Sequence, residues 1–296
     1  MRFAVLAGFL TLLVTTARAQ VIPYLDGDAA MELLKKQCAF GPRVPGTLPH
    51  AKTRDFLATT LKKYTDDVRV QSFPYKTGGR TLTLSNIVAV FGSAKEPGVL
   101  LCAHWDTRPF ADKEKDSKRA QLPIPGANDG ASGVAVLLEV ARRLHAVPPP
   151  VPVAIVFFDG EDWGKTAETM FLGSRYYAKN PIPWKPRYGI LLDMVGDKNL
   201  QLPIEAGSLR FARSVVSDLW GIAAQMGIVA FQQKVGYEIL DDHVFLSEAG
   251  IPCVNIIDFD YPPWHTLEDT PDKCSAESLR KVGDVLLRFT YTRTKP

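Results

Sequence analysis

The chain has 296 residues, long enough for one large α/β domain with a sizeable buried core. Its 35 Lys and Arg nearly balance 32 Asp and Glu, for a formal net charge of +3, and the signs are interspersed. That pattern leaves no basic stripe for nucleic acid and no polybasic anchor for an anionic membrane.

The chain opens with Arg2, an apolar stretch from Phe3 to Val14, and the small-x-small sequence Ala17-Arg18-Ala19. This order predicts a secretory signal peptide over residues 1–19, a mature chain from Gln20, and a periplasmic or extracellular location. A membrane-spanning helix needs about 20 apolar residues, and no later run is that long, so no stable membrane insertion is expected. An oxidising compartment permits disulfides. Cys102 and Cys253 sit in apolar strand-like runs and read as buried thiols; Cys38 and Cys274 lie near element ends and could pair. Cleavage after Ala19 would expose Gln20, a residue that can itself cyclise.

Asp28 to Cys38 and His50 to Tyr64 have helical spacing, divided by the Gly- and Pro-rich stretch Phe40 to Gly46. Val68 to Phe73, Leu82 to Phe91 and Val99 to Ala103 read as strands that form the sheet's antiparallel edge leading into its parallel centre. His104-Trp105-Asp106 and a charged, aperiodic stretch from Arg108 to Pro125 follow; a loop that long inside a compact domain is often functional, although its charges by themselves read as solvated. A helix then begins near Asn128, with Val134, Leu137, Leu138, Ala141 and Leu144 on one face. Val153 to Phe158 reads as a central strand, Gly173 to Lys179 as a helix, Tyr188 to Val195 as a strand, and Leu209 to Met226 as a long helix. Asp241 to Ala249 is a short helix, Ile251 to Ile257 a strand, and Ser275 N-caps a final amphipathic helix. Strands alternating with helices predict a three-layer α/β/α sandwich with a central mixed, mostly parallel sheet, in a single domain over residues 20–296.

The run Ile155 to Phe158 has no apolar alternation, as expected of a strand covered on both faces, and it stops at Asp159-Gly160-Glu161-Asp162. Chemistry in such sheets collects at the carboxyl ends of strands. His104, Asp106, Asp129, Glu161, Asp162, Asp193, Asp241, Asp242 and His265 all fall at that edge. Carboxylates so crowded repel by roughly 4 kcal/mol per close pair at an effective dielectric near 20, which a divalent cation removes. Mixed imidazole and carboxylate donors suit zinc.

His104-Trp105-Asp106, Gly126 to Gly133, Phe157 to Asp162, Leu191-Leu192-Asp193 and Trp264-His265-Thr266 together resemble the zinc aminopeptidase fold shared with glutaminyl cyclases. The five motifs occur in order across nearly the whole mature chain. The resemblance implies Asp129, Asp162 and His265 as zinc ligands and Glu161 as the acid/base. In two-metal aminopeptidases, His104 and Asp193 complete a second site bridged by Asp129, with Asp106 orienting His104. Where the general family pattern has glutamate, this chain has the shorter Asp162; Glu-Asp-Trp-Gly is similar to bacterial cyclase relatives.

The two branches imply different chemistry. An aminopeptidase generates hydroxide from water, for which a second metal is useful. A glutaminyl cyclase has its nucleophile in the substrate, because the α-amine of an N-terminal glutamine attacks its own side-chain amide. The segments Leu191 to Gly196 and Asp241 to Leu246 resemble the cyclase branch, which implies that Asp193 and Asp241 orient substrate, with Asp242 beside them. Trp264, Trp163 and Tyr261 are expected to wall a small pocket. The leading expectation is a secreted, one-zinc glutaminyl-peptide cyclotransferase acting on peptide or protein N-termini. The alternative is a two-zinc aminopeptidase. A non-catalytic binding module on this fold would be marked by lost ligand positions, and none is lost.

Overall fold

A computed structural model describes residues 21–93, 98–182 and 186–292. The expected signal peptide at 1–19 and Gln20 lie outside these residues.

The described chain folds as seven α-helices, three single-turn 3-10 helices and eight strands. Helices α1 (Gly27–Cys38) and α2 (Leu48–Leu61) precede β1 (Val68–Thr77), β2 (Arg80–Phe91) and β3 (Val99–His104). There follow α3 (Ala131–Ala146), β4 (Val153–Phe158), α4 (Leu172–Lys179), β5 (Tyr188–Asp193), β6 (Leu202–Ile204), α5 (Ala206–Gln225), β7 (Phe231–Val235), α6 (Asp242–Glu248), β8 (Cys253–Ile257) and α7 (Ala276–Thr292). Six strands form one sheet in the order β1-β2-β4-β3-β5-β8. β1 and β2 run antiparallel at one edge, and β4, β3, β5 and β8 are mutually parallel. The expected mixed, mostly parallel sandwich is what forms.

Alternate residues of β4 explain the layers. Val153, Ile155 and Phe157 join one apolar cluster with α1, α3, α5 and α7, whereas Ala154, Val156 and Phe158 join a second with Tyr177 of α4 and Leu246 of α6. Burial on both faces is why the sequence shows an unbroken apolar run. Local signals set the helix starts: Asp26 accepts from the Ala29 N–H, Thr47 from the His50 N–H, and Ser275 from the Ser278 N–H. Sequence reading did not anticipate the small parallel sheet of β6 and β7. All four cysteines are thiols in this structure, including the Cys38 and Cys274 expected as a possible pair; Cys102 and Cys253 are buried as expected. Among the described residues, no helix is long and apolar enough to cross a membrane.

Candidate metal centre

The parallel strands deliver their last residues to one edge. His104 ends β3, Asp193 ends β5, and Glu161 and Asp162 follow β4. The turn after β4 is possible because Gly160 takes φ +70°, a left-handed conformation that glycine adopts without strain. Gly130, at φ +94°, serves Asp129 in the same way, and a Cβ there would lie 2.8 Å from the Asp106 carbonyl oxygen. His265 comes from the loop after β8.

Two groups of side chains converge with metal-ligand spacing: Asp129, Asp162 and His265, and His104, Asp129 and Asp193. In the first, His265 Nε2 lies 3.6 Å from Asp129 Oδ2 and 3.6 Å from Asp162 Oδ1. Asp129 Oδ2 and Asp162 Oδ2 are buried without any hydrogen-bond partner. A buried carboxylate oxygen without a partner is costly, and a cation between these donors resolves it. The donor set of one imidazole and two carboxylates fits zinc. In the second group, His104 Nε2 lies 3.1 Å from Asp129 Oδ1 and 3.2 Å from Asp193 Oδ1, so imidazole and carboxylates already engage one another.

Each ligand of the first group is held from behind. Asp269 accepts the backbone N–H groups of Asn128 and Asp129 at 2.8 and 3.1 Å, and Tyr261 donates its hydroxyl to the same carboxylate at 2.8 Å. Asp106 accepts the N–H of Glu161 on one oxygen and of Asp162 on the other, at 3.1 and 3.2 Å. It lies 3.6 Å from His104 Nδ1, so its bonds go to the turn that carries Glu161 rather than to the imidazole. Asp112 faces His265 Nδ1 at 2.9 Å, and Arg108 donates to Asp162 Oδ1 at 2.6 Å. Buried Arg43 ties the neighbouring loops together through the carbonyls of Trp105, Pro125 and Gly126. The segment from Arg108 that read as solvated charge therefore reaches into the site; the available signal was a cation four residues behind a strand-end histidine.

A small cavity of about 70 Å³ opens beside these groups. Its polar wall is Asp129, Glu161, Asp162, Asp193, Asp241 and His265; its apolar wall includes Met170, Phe171, Met194, Ile239, Leu240, Ile257, Phe259 and Trp264. Trp264 lies against the His265 ring with centroids 4.0 Å apart. Trp163 and Asp242, expected at this pocket, lie elsewhere, and Tyr261 stands behind its wall. Trp163 packs with Phe73, Leu84 and Leu172, under the Arg80 guanidinium. Asp242 is fully buried and accepts the Ser174 hydroxyl at 2.5 Å. Tyr261 packs behind the cavity wall with Met194 and Ile257 and donates its hydroxyl to Asp269. Ile239, Leu240 and Phe259, which sequence reading did not single out, take their places. Phe171, Met194 and His265, the non-glycine residues with positive φ among those described, all line this cavity. Strain concentrated so locally marks a functional surface.

Burial dominates the electrostatics. It pushes the Glu161 carboxyl well above the ordinary carboxylate range, against the opposing pull of His104 and with added repulsion from Asp162 and Asp241. Burial also raises Asp193 to about 6 and lifts Asp241. Asp129 moves the other way, because His104 and His265 outweigh its burial. His104 is held protonated well above the usual imidazole range: burial opposes this, but Glu161, Asp106, Asp129 and Asp193 surround it. Perturbed carboxyls next to a metal-sized donor set can carry acid/base chemistry at neutral pH.

Comparison with known proteins agrees with this geometry. A Zn-dependent exopeptidase from Parabacteroides distasonis is 37% identical, with a TM-score of 0.90 over 92% of this chain and 100% of that one. The glutaminyl cyclase of Tannerella forsythia is 38% identical, with a TM-score of 0.88 over 91% of this chain and 99% of that one. Aminopeptidase YwaD of Bacillus subtilis is 27% identical over 243 residues, which are 72% of this chain but 45% of that longer protein. The model of Peptidase family M28 matches residues 86–290, so the chain belongs to that family, in company with bacterial glutaminyl cyclases and zinc exopeptidases.

Proposed function

We propose that the protein is a zinc-dependent glutaminyl-peptide cyclotransferase, which converts an N-terminal glutamine of a peptide or protein to pyroglutamate and releases ammonia. The observation that carries this reading is the inequality of the two ligand groups. Asp129 and Asp162 hold buried oxygens without partners beside His265, whereas His104 is already engaged with Asp129 and Asp193. A single metal with a separate carboxylate suits an intramolecular amine nucleophile better than it suits hydrolysis.

Asp129, Asp162 and His265 would hold a zinc ion, which would supply Lewis-acid polarisation of the substrate's side-chain carbonyl. The cavity beside Trp264 takes the glutamine side chain, and Asp193 and Asp241 face it. Asp241 is fixed for that task, since one oxygen accepts the Asp242 N–H and the other the Asn255 side-chain amide. As the α-nitrogen bonds to the δ-carbon, Glu161 takes an amine proton and returns it to the departing amide nitrogen, so the carbon–nitrogen bond to ammonia breaks and no water is consumed. A carboxyl raised by burial is matched to carrying a proton both ways. The leader-like sequence at 1–19 supports an extracytoplasmic setting for this reaction.

The second reading, a two-zinc aminopeptidase, is favoured by the retention of His104 and Asp193 around a shared Asp129. A Gln-initiated peptide separates the two. The cyclase yields ammonia and an intact peptide lighter by one ammonia; release of free amino acids alone refutes it. Elemental analysis near one zinc per chain supports the cyclase, and two zinc ions with peptide hydrolysis support the alternative.

A further inference from the structure

Arg108 lies behind the metal site and is 4% exposed. Its guanidinium is divided between two carboxylates. Nη1 donates to Asp162 Oδ1 at 2.6 Å, while Nε and Nη2 donate to Asp112 Oδ1 and Oδ2 at 3.2 and 2.9 Å. Asp112 in turn faces His265 Nδ1 at 2.9 Å. The Phe110 ring centroid lies 4.5 Å from the guanidinium carbon, which limits its freedom.

We propose that Arg108 is a positioning residue that sets two ligands of the metal site together, Asp162 by direct contact and His265 through Asp112. This rests on the reading of Asp129, Asp162 and His265 as zinc ligands. The contact to Asp162 engages Oδ1, while Oδ2 remains buried without a partner. The carboxylate is thereby held in one rotation, which matters because aspartate has one methylene less reach than glutamate. The contact to Asp112 fixes the acceptor for His265 Nδ1–H, which selects the tautomer whose Nε2 is free to bind a metal. A planar fork makes both contacts at once, and a lysine ammonium cannot reproduce that geometry.

The test uses the mature full-length protein, stripped of metal and titrated with zinc against a chromogenic chelator. Arg108→Met is expected to weaken zinc binding by about 10–100-fold, the usual effect of losing a partner behind a metal ligand. Arg108→Lys should restore less than half of that loss on a logarithmic scale, and the visible spectrum of cobalt-loaded protein should change in both variants. Parental zinc affinity in Arg108→Met, or full recovery with lysine, overturns the proposal. If Arg108→Met does not refold, Arg108→Lys and Asp112→Asn carry the test, and parental affinity in both overturns it. A parent protein that binds no zinc refutes the underlying metal assignment instead, so the two failures are distinguishable.

Discussion

Asp106→Asn tests whether the turn bearing Glu161 and Asp162 is held from beneath. The carboxylate is fully buried and accepts one backbone N–H on each oxygen. Asparagine has the same shape but a single acceptor oxygen, so its amide NH₂ must face one of those N–H groups. A buried donor left without an acceptor costs about 1–3 kcal/mol, which for a chain of this size lowers the melting temperature by about 2–12 °C. The displaced turn carries a ligand, so zinc affinity should also fall by about 10–100-fold. That loss removes about 1.4–2.7 kcal/mol of the zinc-dependent stabilisation at saturating metal. Differential scanning fluorimetry with and without zinc reads both effects, as a lower apo melting temperature and a smaller rise on adding zinc. A variant that melts with the parent in both states refutes the role assigned to Asp106. One that is destabilised equally in both shows that Asp106 supports the fold without positioning the ligand.

Glu161→Gln should lower ammonia release by about 10²–10⁴-fold while zinc content by elemental analysis is unchanged, because the proton carrier is lost and the ligands are not. Gly133→Ala places a Cβ 2.5 Å from the Leu192 carbonyl oxygen and 3.0 Å from the Ala103 side chain, so α3 must back away from β3 and β5. Forcing an extra methyl into such a contact costs about 1–3 kcal/mol, readable as a lower urea midpoint. Glu205→Gln probes acid stability: burial opposes its ionisation, but His243, Ser208 and the Ile239 N–H together lower its folded pKa to about 2. Because the folded value is depressed, the contribution is present above the unfolded value near 4.5 and is lost as pH falls towards 2. The variant should therefore be less stable than the parent at neutral pH by about 1–2 kcal/mol, allowing for solvent screening, and the two curves should converge in acid.

Much of the fold was legible because its signals are local or periodic. The unbroken apolar run of β4 encodes burial on both faces, and the face formed by Val134, Leu137, Leu138, Ala141 and Leu144 encodes α3. The sheet of β6 and β7 was not legible, because β6 has three residues, one of them proline, and β7 reads Phe-Gln-Gln-Lys-Val with its last three residues exposed. Among the site residues, those at strand ends could be placed by topology alone. Arg108, Asp112 and Asp269 could not, since a charge reads as solvated until its buried partner is known. Trp163 shows the converse limit: it follows Asp162 directly, yet its ring turns towards Phe73, Leu84 and Leu172 rather than the cavity. Adjacency in sequence says nothing about which way a side chain leaves a turn. The left-handed conformations of Phe171, Met194 and His265 are likewise imposed by their surroundings and have no sequence signal.

The way the ligands are supported bears on whether zinc holds the fold together. In small metal-folded domains the ligand loops have little else to order them, and chelation unfolds the chain. Here Asp129, Asp162 and His265 come from separate connections of a six-stranded sheet covered on both faces, and each has its own protein contact. Left-handed non-glycine conformations cost about 1–3 kcal/mol each, and they persist only where surrounding structure fixes them. His265 pays that cost within a loop whose Thr266 and Leu267 N–H groups bond Pro263 O and Glu114, contacts that involve no metal. Zinc removal should therefore abolish turnover while a cooperative melt and the native far-ultraviolet circular dichroism spectrum remain. Loss of that cooperative transition on chelation would show that the metal, and not the network behind it, holds the strand-end loops in place.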